Sequence, residues 1–374
     1  MSSAESRIPS ETPGRGQRGG RKSGRGGGAH RGGGRGSRGE KGRGPRGGQE
    51  QKAQQQQAIA VAKTMFPPDA NWLVEDTMTF IKWDNNKQVP SMQYRICLET
   101  PPVLSLPEKF PVFLPEQRGP LYIAHKPGAV RILLEARAKS LEGISLEGVD
   151  IVATPSFLYA MWGGHPNALK DRYLLQWLSP AAVSGGGNST LFAHIRPWSN
   201  RTDVSGPGFA AERLFCPREG PDDWYFSVTK FAIGRHCVLI VAEIDGFSAD
   251  TQRPIEMTVQ SKPKTPALKQ LLQVSLNGSS HFVRFKLSKS DDGEKPDVLA
   301  SATTFSTESL LEKYKEGWIE AGQRIKYTLD SVLQNELVRS AVDAPVHMTF
   351  RKVDKVPIFQ PAKQSATLFP ARTT

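Results

Sequence analysis

The sequence predicts an α+β protein: a mixed β-sheet core with flanking helices, set between disordered N- and C-terminal tails. Three observations carry that expectation. Residues 1–52 hold 17 of the 35 glycines and no branched aliphatic residue after Ile8, so they bury too little apolar surface to offset their ordering entropy. Between Gly206 and Gly278, short apolar runs bounded by Gly, Pro and Asp alternate with a Leu-rich stretch of helical period. Beyond about Asp354 the periodicity stops. The expected organisation is a tail over 1–57, Arg/Gly-rich and then Gln-rich, a globular domain over 58–353 and a second tail over 354–374.

Within the body, Ala58 to Lys63 reads as a short helix closed before Pro67-Pro68. From Trp72 to about Pro120 the prolines are frequent and the apolar clusters short, which suits irregular structure with edge strands. Ala129 to Ala138 has helical spacing. Val149 to Trp162 is mostly apolar, with Pro155 at a strand-to-helix corner, and Tyr173 to Trp177 continues the core before a loop at Gly185 to Asn188. Trp224 to Lys230 and Cys237 to Ala242 read as a hairpin joined at Ile233-Gly234-Arg235. The second of these is an unbroken apolar run and so a central strand covered on both faces. A strand over Ile255 to Gln260 follows, then a helix over Ala267 to Leu276 stopped by Asn277-Gly278, then a strand over His281 to Leu287. Ser309 to Gly317 and Ile325 to Val342 look helical.

The chain of 374 residues carries 49 Lys and Arg against 37 Asp and Glu, a net of +12. Residues 1–52 hold 13 of the basic and four of the acidic side chains, so the remaining chain is nearly neutral. The excess is concentrated in Arg-Gly-Gly steps at Arg18, Arg25, Arg31 and Arg46. Arginine among flexible glycines contacts phosphates by charge and bases by stacking, with little sequence preference; these four residues are candidate RNA contacts, and a purely solubilising tail is the alternative. Three cysteines without paired spacing argue against a disulfide scaffold or a cysteine zinc site. No apolar run approaches the roughly 20 residues of a membrane helix, and the N-terminus shows no secretory signal. The expected compartment is nucleus or cytoplasm, with no membrane partner.

Glu243 and Asp245 end the central strand two residues apart and so share a face. Like charges beside an apolar strand are costly unless a cation neutralises them. Glu256, on what reads as the adjacent strand, could face the same spot. Carboxylates converging in this way suit Mg²⁺ or Mn²⁺, and two such ions can support phosphodiester or pyrophosphate cleavage. On spacing alone, a solvated strand end is the commoner outcome.

The order of the whole block carries more. Val238-Leu239-Ile240-Val241-Ala242-Glu243-Ile244-Asp245-Gly246 is followed by Ile255-Glu256-Met257-Thr258 and then by Gln273-Val274-Ser275-Leu276-Asn277-Gly278. Upstream stands Gly208-Phe209-Ala210-Ala211-Glu212. This succession resembles the decapping-nuclease (DXO-type) family, firmly over residues 205–295 and more loosely at Val149 to Trp162. The resemblance implies a metal-dependent hydrolase acting on RNA 5′ ends, by removal of incomplete or non-standard caps or by 5′→3′ degradation. It implies Glu212, Glu243, Asp245 and Glu256 as metal ligands for about two ions. Gln273 would lie at the scissile phosphate, and Glu256 or Gln273 would orient an activated water for in-line attack on phosphorus. A protein partner in RNA decay is the further implication; Phe359 and Phe369, among the C-terminal prolines, offer one docking segment or simply a loose end.

One departure stands out. The family's lysine, two residues after the last acid, is Thr258 here. Lys262 lies about 13 Å further along at roughly 3.3 Å per residue and would have to bend back; Gln260 is nearer but uncharged. Losing a cation at such a place can slow phosphate chemistry by about 10²–10³, which leaves open a slow enzyme or a metal- and RNA-binding relative without turnover. Some fungal proteins of this general look are labelled geranylgeranyl diphosphate synthases. That chemistry needs Asp-x-x-Asp clusters on facing helices, whereas Asp222-Asp223 here runs into the strand-like Trp224-Tyr225-Phe226.

Overall fold

The structure, a computed structural model, describes residues 53, 56–57, 60–84, 95–114, 144–164, 169, 172–178, 190–195, 206–220, 223–261, 267–288, 298–342, 344–351 and 353–363. All lie in one compact unit, 47–374. Arg18, Arg25, Arg31, Arg46, Lys262 and Phe369, the helical spacing at 129–138 and the loop at 185–188 fall outside the described residues.

Residues 60–65 are helical and stop at Phe66, immediately before the paired prolines. The chain then enters β1 (Leu73–Asp84), β2 (Arg95–Leu98), β3 (Val112–Phe113) and β4 (Ile151–Ala153). Helix α1 (Pro155–Trp162) follows directly, with Thr154 at its N-cap and Pro155 in its first turn, where the fixed φ and missing N–H of proline do no harm. Strands β5 (Tyr173–Leu178) and β6 (Thr190–Ile195) lead to α2 (Pro207–Phe215), then to β7 (Trp224–Ile233), β8 (His236–Glu243), β9 (Gly246–Ser248) and β10 (Arg253–Gln260). The rest is α3 (Leu268–Leu276), β11 (His281–Ser288), β12 (Val298–Ser306), α4 (Thr307–Lys313), α5 (Lys315–Gln334), α6 (Glu336–Arg339), β13 (Val346–Phe350) and β14 (Pro357–Pro361).

There are two sheets rather than the single one expected. The first has nine strands in the order β14-β13-β5-β6-β4-β8-β7-β1-β2, with β4 parallel to both β6 and β8 and the other pairs antiparallel. The second has five, in the order β3-β12-β11-β10-β9, with β10 and β11 parallel across the α3 crossover. As the unbroken apolar run demands, β8 lies between β4 and β7 and is buried from Val238 to Ala242. Strand β10, read from sequence as its neighbour, belongs to the other sheet.

Two further expectations are corrected. The proline-rich region after Trp72 contains a strand of 12 residues, β1, paired on both sides by β7 and β2. Its prolines lie beyond the strand, so they never interrupt the ladder. The boundary at 353 is also too early: β14 pairs along its length with β13, placing Phe359 opposite Met348 and against the main core. Its alternating pattern was hidden because prolines open and close it. Residues 318–324, not assigned from sequence, continue α5 without a break.

The main core is built from β4 to β8 of the first sheet with α1, α3 and α5. A smaller core lies between the second sheet and α2, where Phe215 stacks on Phe285 at 4.8 Å. On β10 the period of two decides everything: Ile255 and Met257 enter the small core, so Glu256 turns to the opposite face, towards α3.

Candidate active site

Glu243 is the last residue of β8, paired with Phe226 on β7. The chain then leaves the first sheet, and Gly246 pairs with Ile255 in the second. Asp245 therefore occupies the crossing between the two sheets. Its Oδ2 accepts a hydrogen bond of 2.6 Å from the backbone N–H of Met257, which ties the crossing to the strand that carries Glu256. Gly246 is required by close approach: a Cβ there would lie 2.2 Å from Cys216 Sγ. Burial pushes that thiol up to about 12, so Cys216 serves as packing.

Helix α2 faces the same crossing. Ala210, Ala211 and Phe215 bury one side in the small core, leaving Phe209 and Glu212 on the other. From across the gap, α3 presents Gln273 and Asn277, one turn apart on one face. Gln273 Nε2 donates to Glu256 Oε2 at 2.7 Å, and Asn277 Nδ2 donates to Oε1. Asn277 is fixed in turn by Ser227 Oγ, which donates to its carbonyl at 3.1 Å. Gly278, at φ 70°, then ends the helix in a conformation glycine tolerates best.

Glu212, Glu243, Asp245, Glu256 and Gln273 thus line one cleft of about 340 Å³, together with Phe209, Trp224 and Asn277. Sequence reading missed the last three. Asn277 was visible only as a helix stop, although its spacing from Gln273 could have marked it. Arg218 braces the rim, donating to the carbonyls of Asp223 at 2.7 Å and Asp245 at 3.4 Å and lying over the Trp224 and Tyr225 rings.

Glu256 is only 4% exposed. Burial above all, then the charges of Asp245 and Glu212, push its carboxyl well above the usual range, against the pull of the Asn277 and Gln273 hydrogen bonds. Tyr159 of α1 is pushed up as well, by burial and by Glu256. As placed, the carboxylates spread around the cleft wall: among the described residues no three acidic, His or Cys side chains meet at one ligand-distance point. The donor set nevertheless fits a hard divalent cation. It is all oxygen, Glu256 is held by neutral amides beside like charges, and Asn277 Oδ1 is buried with no hydrogen-bond partner.

Thr258 sits half-buried one step beyond Glu256 on the same face. Its register partner on β11 is Arg284, whose guanidinium lies 5.0 Å from the Phe305 ring centre.

No protein-family model and no curated protein matches the chain by sequence. Solved structures match by shape. S. pombe Rai1 in complex with 3′-FADP superposes with a TM-score of 0.55 at 12% identity, over 78% of this chain and 94% of that one. Scheffersomyces stipitis Rai1 gives 0.52 at 13%, over 78% and 88%. K. lactis Dxo1 in complex with manganese gives 0.51 at 12%, over 79% and 92%. The chain has the Rai1/Dxo1 fold. That is an α+β fold, as the sequence predicted, and it accounts for both sheets. Within the Rai1/Dxo1 fold this chain brings its four separated acid-bearing or amide-bearing segments, 208–212, 243–246, 255–258 and 273–278, to one cleft. An all-α prenyl synthase is excluded by the same architecture.

Proposed function

We propose that this chain is a divalent-metal-dependent hydrolase of RNA 5′ ends, working in the nucleus or cytoplasm. The observation that carries the reading is the cleft: carboxylates from α2, the sheet crossing and β10 face one another across about 340 Å³, although they are separated by up to 44 positions in sequence. The manganese complex of K. lactis Dxo1 and the 3′-FADP complex of S. pombe Rai1 support a metal and a nucleotide in this fold.

Glu212, Glu243, Asp245 and Glu256 would hold the ions, Mg²⁺ or Mn²⁺. Once bound, such ions lower the pKa of water and neutralise phosphate charge. The chain's own groups do the rest. Asp245 is held in place by the Met257 N–H. Gln273 and Asn277 fix both oxygens of Glu256, so that this carboxylate can accept a proton or orient a water without rotating away. Phe209 and Trp224 close one side of the cleft with buried apolar surface. Arg18, Arg25, Arg31 and Arg46 would add sequence-independent RNA affinity.

The test is incubation with 5′-triphosphate, unmethylated-cap and NAD-capped RNAs in Mg²⁺ or Mn²⁺, with Glu243→Ala/Asp245→Ala as control. Product that vanishes in the double variant supports the hydrolase. Thr258 favours a second reading, an RNA-binding relative without turnover; RNA retained on the protein with no product from any of the three ends would establish it instead.

A further inference from the structure

Away from the cleft, a second charged cluster has the opposite sign. Arg324, on the face of α5 that packs against α1, is 9% exposed. Lys355 lies half-buried in the connection between β13 and β14, with its backbone at φ 60°, a left-handed conformation that a lysine adopts rarely. Both side chains close on Gly163, the residue that ends α1 at φ 72°. A Cβ on Gly163 would meet Lys355 Cδ at 2.8 Å and Arg324 Nη2 at 3.2 Å. Glycine is thus needed here twice, for its φ and for the space.

Neither cation is neutralised by a described residue. Among the described residues, neither head group makes a hydrogen bond or an ion pair. The nearest acids are otherwise placed: Asp354 pairs with Arg351 at 3.2 Å, and Glu320, one turn before Arg324, is exposed to solvent. Burial, opposed by Glu320, lowers the proton affinity of Arg324; burial and then Arg324 itself lower that of Lys355. The carboxyl end of α1 offers about half an elementary charge against two full ones, and three of its last four carbonyls are taken. Tyr159 and Ala160 accept from the Gly163 N–H, and Met161 accepts from Thr328 Oγ1. The five donors of this guanidinium meet no acceptor among the described residues, and none of its nitrogens is among the fully buried unpaired atoms, so an anion can reach them from solvent.

We propose that Arg324 and Lys355, seated on the Gly163 turn, form a binding site for a phosphate-type dianion. The planar fork of arginine binds two oxygens of a tetrahedral anion, and the lysine supplies the second charge as a point contact. None of the three residues lines the acidic cleft, so the site stands whether or not the cleft is catalytic. The shared chemistry is the phosphoryl group, carried either by free phosphate or by an RNA 5′-monophosphate.

The experiment uses the full chain in EDTA, so that no divalent ion recruits phosphate to the cleft. Inorganic phosphate is titrated by calorimetry and thermal melting, with Lys355→Met and Arg324→Met as variants. The wild type binds saturably and its Tm rises with phosphate. Lys355→Met weakens binding by about tenfold or more, the loss of one charge-assisted contact. In phosphate-free buffer it melts no lower than wild type, because a like charge has been removed. A merely structural lysine would show the reverse, a lower Tm and unchanged phosphate binding. Parallel titrations with 5′-phosphorylated and 5′-hydroxyl pentanucleotide RNA separate the sources: tighter binding of the phosphorylated form that depends on Lys355 assigns the site to RNA ends, and binding of free phosphate alone assigns it to a small ligand. No saturable phosphate effect in the wild type, or equal binding by both variants, overturns the proposal.

Discussion

Lys82 and Glu256 are both buried charges, each about 4% exposed, and the chain treats them in opposite ways. Lys82 Nζ is met by Glu219 at 2.9 Å, Glu99 at 3.2 Å and Asp223 at 3.7 Å. Burial alone would lower its proton affinity, but the Glu219 and Glu99 contacts hold it well above the usual lysine value. Glu256 receives two neutral amides, and the charges named beside it, Asp245 and Glu212, carry its own sign. A buried charge that the chain neutralises is part of the scaffold. One that it leaves among like charges is a place for something from outside, and Arg324 with Lys355 repeats that logic with the sign reversed.

The contrast is broken most directly by removing each charge. Glu256→Ala should lower RNA turnover by at least about 10²–10³ and leave the metal-free melting temperature unchanged or raised. Lys82→Met should do the opposite: it strands the buried Asp223 carboxylate, which costs about 2–3 kcal/mol of stability, and it preserves turnover per folded molecule. Urea melts and initial rates on both variants check this. If the two substitutions damage the same quantity, the division between scaffold and site is wrong.

A smaller effect follows from titration. The folded Glu256 has a raised proton affinity, so its favourable contribution is complete below the ordinary carboxylate pKa of about 4.5 and is lost as pH climbs through the raised folded value. Metal-free protein should therefore lose stability over that rise, by at most about 1.4 kcal/mol per pH unit. Subtracting the Glu256→Gln profile isolates this group, and added Mn²⁺ should remove the difference. Parallel profiles for the two proteins in EDTA would contradict the assignment.

How much of this was legible follows from range. Strand β8, the β7–β8 hairpin at Gly234, the Pro155 corner and the α3 stop at Asn277-Gly278 all rest on local pattern: an apolar run, a two-residue turn, a proline that tolerates only a first turn, a glycine at φ 70°. The acids Glu212, Glu243, Asp245 and Glu256 were also visible, because each sits where apolar periodicity is interrupted. The sheet to which β10 belongs was not visible. Pairing is decided by contacts such as Met257 with α2 and Gly246 with Cys216, and no local pattern records them. The same applies to Lys82, Arg324 and Lys355, whose meaning comes from partners, or the lack of them, 17 or more positions away. Strand β14 failed for a different reason: prolines at both ends read as the end of order, while the edge position lets them stand outside the ladder.

The finest test would convert one arrangement into the other. Thr258 lies two residues beyond Glu256 on the same face, with Arg284 beside it in register. Thr258→Lys would give Glu256 an internal cation, as Lys82 is given internal anions. If Glu256 lacks only charge, the variant should lose most of the pH-dependent destabilisation in EDTA, and turnover should rise by up to about tenfold, a fraction of what one transition-state contact can supply. If Arg284 already reaches substrate phosphate from β11, the new lysine merely crowds it: turnover falls, and Arg284→Ala then lowers the wild-type rate by a similar factor. The pH profile and the two rates together decide which strand supplies the positive charge facing the acids.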